Sequence, residues 1–235
     1  MDFSWLSNPT YIHYLWEGLI NTVELTIISG FFGFLLAIAF AVAQAVGPKQ
    51  IAVPIRAFSM LIRGTPLLLQ LFFFYNGIGI LLASFPAIHH TFMWPILRGS
   101  FIYAVLAFVV SVGAYVGEDL RGAMLSVPKG ELEAADAYGM TSFRRLRRIW
   151  LPRTVQICMP TLSNEAILLL QSVPLVSTIS VMDLLGAANI IRDNTLTVYP
   201  PLILIAAVYL VLAGIMMLFT RQLESHFRGR KVAAA

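Results

Sequence analysis

The sequence predicts an all-α integral membrane protein. It has five transmembrane helices, the N-terminus outside, the C-terminus in the cytoplasm, and a short cytoplasmic helix between helices three and four. Three observations predict this. Of 235 residues 58% are hydrophobic and only 12% charged, against about a quarter charged in a soluble domain. That balance excludes a water-soluble globule, and it excludes disorder, which needs few apolar residues and high net charge. The charges also leave long gaps, and the basic residues fall on alternate loops.

The gaps define the spans. Segments 25–46, 65–88, 99–117 and 194–220 carry no charge, and 154–182 carries Glu165 alone. Each approaches or exceeds the roughly 20 residues that cross a hydrocarbon core about 30 Å thick. A transmembrane barrel would show short alternating segments instead. The spans are therefore placed at about 23–46, 61–88, 99–120, 154–182 and 196–221 of a single transmembrane domain covering 1–235. Ahead of the first span stand only Asp2, Glu17 and Glu24, with no basic region and no small-residue cleavage site, so span one is expected to stay in the protein.

Orientation follows from Lys and Arg. Lys49, Arg56 and Arg63 lie between spans one and two. Arg121, Lys129, Arg144, Arg145, Arg147, Arg148 and Arg153 lie between three and four, and Arg221, Arg228, Arg230 and Lys231 in the tail. The other loops hold Arg98 and Arg192 alone. The positive-inside rule puts the rich loops in the cytoplasm. This asymmetry explains the formal net charge of +4 without nucleic acid as a partner; the partner it implies is the lipid bilayer.

Within the spans, Gly30, Gly33 and Ala37 give span one a small-residue stripe suited to close helix packing. Span two carries Gln70, Asn76 and Gly77 among Phe72, Phe73, Phe74 and Tyr75, an aromatic run read as packing bulk. Arg63 stands at the cytoplasmic end of span two and Arg121 at that of span three, where Arg63 is positioned to meet Glu118 or Asp119 as a gate ion pair; snorkelling to lipid headgroups is the other reading. The outward segments 89–98 and 183–193 are read as short loops, too small to fold as domains.

The loop from span three to span four is the one extended piece outside the membrane. After Pro128 come Glu131, Glu133, three alanines and Gly139, which describe a short helix with a glycine stop. Thr141 or Ser142 then caps a second, basic helix, and Pro152 opens span four. Leu132, Ala135 and Tyr138 form an apolar stripe too short to stabilise a helix alone, so this helix is expected to dock on the bundle or on another protein.

Span four is the polar one. Asn164 and Gln171 are seven residues apart, about 20° from eclipsed on a helix, and Glu165 and Ser172 form the adjacent stripe. Pro174 removes a backbone donor and frees the carbonyl of Leu170. An unpaired acid at membrane depth costs at least about 2.5 kcal/mol, so Glu165 is either in an interhelical pair or in a solute pathway. In a pathway, an ionised Glu165 favours an ammonium or guanidinium group on the solute. Asn164, Gln171, Ser172 and Gln70 are the further candidates for that pathway.

Catalytic alternatives find little support. No G-x-x-x-x-G-K-[ST] segment binds ATP phosphates, no H-E-x-x-H zinc site occurs, and no second intramembrane acid pairs with Glu165. His13, His89, His90 and His226 lie outside the apolar runs, and the single cysteine, Cys158, is read as packing. The rival reading is an ATP-independent, proton-coupled carrier that relays protons through Glu165. It lacks the matching halves such carriers show.

The pattern Glu133-Ala134-Ala135, Gly139, Ile149-x-Leu151-Pro152 resembles the EAA loop of ABC importer permeases. Arg63-Gly64-Thr65-Pro66, Gln70-Leu71, Ala114-Tyr115-x-x-Glu118-x-x-Arg121-Gly122-Ala123 and Ser126-Val127-Pro128-Lys129-Gly130 extend the likeness to polar amino-acid permeases of the histidine/glutamine type. Ser163-Asn164-Glu165 resembles the HisM-like half of the paired permeases. The resemblance covers about 18–227. It implies a two-permease core, two ATP-hydrolysing subunits beneath it and a solute-binding protein outside, in a bacterial cytoplasmic (inner) membrane. The helix in the loop at about 126–152 would be the coupling helix, contacting the ATPase through Glu133, Ala134, Ala135, Gly139, Leu132 and Tyr138. ATP and Mg would be bound by the partner, with no cofactor or metal on this chain. A related second permease is favoured over a second copy of this chain. The expected cargo is a polar amino acid, basic in character, or an opine or other guanidino compound.

Overall fold

The computed structural model describes residues 4–232, with side chains from 5 to 225. The side chains of Asp2, His226, Arg228, Arg230 and Lys231 lie outside the described residues. All described elements are helical.

Helix α1 (Pro9–Val46) starts where Pro9 supplies a helix-ready φ and the Asn8 side chain accepts the Thr10 N–H at 3.0 Å. With 38 residues it is about 57 Å long, so it begins well ahead of the expected span at 23. Gly47 and Pro48 end it. Helix α2 (Lys49–Arg63) is bent by 107° against helix α3 (Leu67–Ala83). The cause is local: Pro66 brings no N–H to the ladder and pushes Thr65 out of the helical region. The expected span 61–88 is thus a broken element. Its apolar arm is α3, which contains a π-helical stretch over Phe73–Gly79.

Two short helical turns, Pro86–His89 and Trp94–Leu97, lead to α4 (Ser100–Leu125). The short helix α5 (Lys129–Ala137) follows, then the long α6 (Ser142–Ile179). Helix α6 is π-helical over Leu146–Trp150 and tightens to a 3-10 helix over Val173–Ile179. The Leu170 carbonyl expected to be free is taken instead by the N–H of Val173. The 3-10 geometry satisfies locally what the Pro174 ring releases.

Segment 183–193, expected as a loop, is mostly helix α7 (Leu184–Thr195). Asp183 caps it, accepting the Gly186 N–H at 2.9 Å and the Leu185 N–H at 3.2 Å. Leu184, Ala187, Ala188 and Ile191 form its buried face. Helix α8 (Tyr199–Val232) completes the chain. Four described helices are long and apolar enough to cross a membrane, and α2 with α3 makes a fifth if the bent pair counts as one span.

The most extensive packing is α1 against α4, with α6 laid across both. The approach is close because the interface is lined with small residues. A Cβ on Gly33 would fall 2.6 Å from the Val112 side chain, and one on Gly113 2.7 Å from Leu36. Of three buried clusters, Leu184, Ala188 and Ile205 fill the one between α7 and α8, and Leu25, Leu71, Phe108 and Val176 fill a second. Ala37, Ala41, Leu120, Met124 and Cys158 fill the third, which gives the lone cysteine its packing place.

Candidate functional site

Glu165 lies midway along α6, half-buried at a wall shared by two cavities. One, of about 280 Å³, is also lined by Phe108, Ser111 and Tyr115 of α4, Leu67 of α3, and Ser172. The other, of about 290 Å³, lies between α1, α4, α6 and α8 and is lined by Thr26, Gly30, Phe31, Val116 and Met216. Among the described residues none hydrogen-bonds or ion-pairs with the Glu165 carboxylate. The arrangement offers one carboxylate, hydroxyls and aromatic faces inside an otherwise apolar wall. Those groups suit a cation with an apolar stem.

The residues expected beside it divide. Ser172 lines the first cavity with Glu165, and its hydroxyl donates to the Leu168 carbonyl at 2.8 Å. Asn164 and Gln171 lie on the adjacent, exposed stripe of α6. Gln70 is elsewhere. It is buried at the α2–α3 bend, where its amide nitrogen donates to the Ile62 carbonyl at 2.8 Å and to the Thr65 carbonyl and hydroxyl, each at 3.1 Å. Gln70 therefore fixes the bend and does not line the Glu165 cavities. Tyr115, which sequence reasoning used only as part of a motif, braces the same bend by donating to the Arg63 carbonyl at 3.1 Å.

The expected gate pair also differs. Glu118 pairs with Arg121 one turn along α4, with Nε to Oε2 at 3.0 Å. Arg63 instead lies over the Tyr115 ring, 5.5 Å from its centroid. The shorter reach within one helix decides this, since i,i+3 residues face each other.

In the α4–α6 connection, α5 ends in a full Schellman motif. The Met140 N–H reaches the Ala135 carbonyl and the Gly139 N–H that of Asp136, with Gly139 at φ +70°. Thr141 caps the next turn, as expected. Ala135 is buried, Leu132 half-buried, and Glu133, Ala134, Gly139 and Tyr138 are exposed, Tyr138 at 86%. The stripe thus splits: Leu132 and Ala135 are turned towards this chain, and Tyr138 stands exposed.

This loop and helix order match a known family. Residues 31–229 match the model for the binding-protein-dependent transport system inner membrane component family. The chain belongs to that family. Similar members include the octopine transport system permease protein OccM of Rhizobium radiobacter, 37% identical over 78% of this chain and 74% of its own. The histidine/lysine/arginine/ornithine transport system permease protein HisM of Escherichia coli strain K12 is 35% identical over 91% of this chain and 89% of its own. Among solved structures, a chain of an amino acid ABC transporter crystallised with histidines superposes with TM-score 0.79 at 31% identity, covering 96% of this chain and all of that one. A methionine ABC transporter chain shares the fold at TM-score 0.76 and 15% identity.

As an inner membrane component of this family, the permease carries solute through its helices and is not itself catalytic. A structural residue not singled out from the sequence is Asp183. Besides capping α7, it accepts the Tyr209 hydroxyl of α8 at 3.2 Å, while the Leu184 N–H donates to Thr22 of α1 at 3.3 Å. Burial pushes the Asp183 carboxyl above its ordinary range, against the opposing pull of those hydrogen bonds. An aspartate followed by an apolar i, i+3, i+4, i+7 pattern is the signal that marks such a cap.

Proposed function

We propose that this permease moves cationic amino acids, or related opine and guanidino compounds, into the bacterial cytoplasm across the inner membrane. It would work in a complex with two ATPase subunits, a related second permease and an external solute-binding protein. The observation that carries the cargo class is Glu165: a carboxylate with no hydrogen-bond or ion-pair partner among the described residues, facing two cavities, in a chain resembling permeases named for octopine and for histidine, lysine, arginine and ornithine. The N-terminus would be outside and the α4–α6 connection inside, as the Lys and Arg distribution requires.

In this reading α5 seats on the ATPase through Glu133, Ala134, Gly139 and Tyr138, its exposed residues, while Leu132 and Ala135 hold it to the bundle. ATP-driven closure of the ATPase pair shifts α5 and biases the bundle between outward and inward access. Glu118 and Arg121, with Arg63 over Tyr115, sit at the inner end of the path, where rearrangement of the Glu118 pair would gate release. Asn164 and Gln171, on the exposed stripe of α6, would face the second permease.

The test is ATPase stimulation in the purified complex by binding protein loaded in turn with lysine, arginine, histidine, ornithine, octopine and glutamine. Cationic solutes should stimulate most. Glu165→Gln removes a charge-assisted contact worth about 1.5–3 kcal/mol, so uptake of those solutes should fall about tenfold or more with assembly intact. Unchanged uptake by Glu165→Gln would remove Glu165 from the pathway.

A further inference from the structure

We infer that two ion pairs splint the π-helical joint of α6 onto α5, making Glu131, Asp136, Arg145 and Arg153 positioning residues that carry the ATPase stroke into the helix bearing Glu165. The inference rests on the reading of α5 as the ATPase contact. Helix α5 and the start of α6 form an antiparallel hairpin turned at Gly139. Glu131, in the first turn of α5, accepts from Arg153 at 3.0–3.1 Å, and Asp136, in its last turn, pairs with Arg145.

The two arginines stand on either side of the π-helical stretch Leu146–Trp150. A π turn replaces the ordinary i→i+4 ladder with i→i+5 bonds and is one of the places where a helix kinks. An unsupported push on the loop would be absorbed there as bending. With α5 strapped to both sides of the joint, the same push reaches α6 above it. Arg153 is twelve residues below Glu165 in the same helix, about 18 Å along the axis, and its Nη1 also donates to Gln156 at 3.3 Å, one turn further up. Trp150, the last residue of the joint, donates its ring N–H to the Met124 carbonyl at 2.9 Å, so the foot of α4 holds the same point.

All four ion-pair side chains keep partial solvent exposure, where such pairs add little to stability. Their removal should leave folding intact and alter transmission. The experiment uses the whole complex in proteoliposomes and measures ATP hydrolysed per solute taken up. Glu131→Arg or Arg153→Glu alone should raise that ratio about 2- to 30-fold, the range that coupling-network mutations span, with the ATPase still co-purifying. The double reversal should return it towards the wild-type value, and the thermal midpoint of the single variants should stay near wild type, which a merely structural role would not allow. If a single reversal fails to assemble, Glu131→Gln and Arg153→Gln carry the same expectation. An unchanged ratio in the single variants, or a ratio the double reversal does not restore, overturns the splint and leaves the ATPase contact standing. Full ATPase binding and stimulation by a Glu133→Arg variant overturns the contact itself, and the splint with it.

Discussion

Gly139 and Gly130 stand nine residues apart in the same loop and should respond to alanine in opposite directions. A Cβ at either position meets nothing within 4 Å, so crowding plays no part and only backbone conformation separates them. Gly139 sits at φ +70°, the left-handed region that costs an L-residue about 1–2 kcal/mol. Gly130 is inside the right-handed helix α5, where alanine stabilises by about 0.4–1 kcal/mol, chiefly by restricting the unfolded chain. The two variants should therefore differ by about 1.5–3 kcal/mol. In a chain of this size 1 kcal/mol moves a thermal midpoint about 2–4 °C, so a midpoint comparison in detergent resolves the pair. Gly139→Ala should also lower recovery of the ATPase in co-purification, because loss of the Schellman closure redirects Tyr138 and the chain entering α6. Equal midpoints, or a more stable Gly139→Ala, would refute the conformational argument.

Gly33→Ala drives a Cβ to 2.6 Å from Val112 and should cost about 1–3 kcal/mol by overpacking, read as a lower thermal midpoint; Gly214→Ala, with open space around it, is the control. Gln70→Glu at pH 7 sets a carboxylate against the Ile62 and Thr65 oxygens that the amide now serves. It should destabilise by about 2 kcal/mol or more, seen as a lowered midpoint and faster proteolysis at the α2–α3 bend. Asp183 is held protonated more readily in the folded protein than in the unfolded chain. Its contribution is full below the ordinary carboxylate range and is lost as pH rises through the folded value. Wild-type stability relative to Asp183→Asn should thus decline as pH is raised from 3.8, and a rising difference would contradict this.

The membrane class was legible because charge is scarce and its gaps are long. The α5 stop was legible because a glycine after an alanine-rich turn has one strong structural use. Four features were not. The α2–α3 break depends on Pro66 and on Gln70 reaching back to Ile62, and a hydropathy window smooths over both. Helix α7 was hidden because its apolar face is small, made of Ala187 and Ala188 between Leu184 and Ile191, and a charge at Arg192 follows. The sequence puts Asn164 and Gln171 on one stripe of span four and Glu165 and Ser172 on the next, but not which stripe lines a cavity. A helix of 3.6 residues per turn separates Asn164 from Glu165 by about 100°, enough to send one to an exposed face and the other to the cavities. The partner of Arg63 stays open in the sequence between Glu118 or Asp119 and lipid headgroups, because distances between helices are not written there, whereas Arg121 lies within one turn of Glu118.

The central claim is that solute moves through this chain only when a separate ATPase drives it. The most direct measurement is uptake of radiolabelled arginine into proteoliposomes holding the full complex, with the loaded binding protein outside and nucleotide inside. Uptake should require hydrolysable ATP, stop when the ATPase subunits are stripped, and remain absent when a pH gradient is imposed in place of ATP. Uptake by the permeases alone, driven by that gradient and lost in Glu165→Gln, would contradict the account and make the chain a proton-coupled carrier.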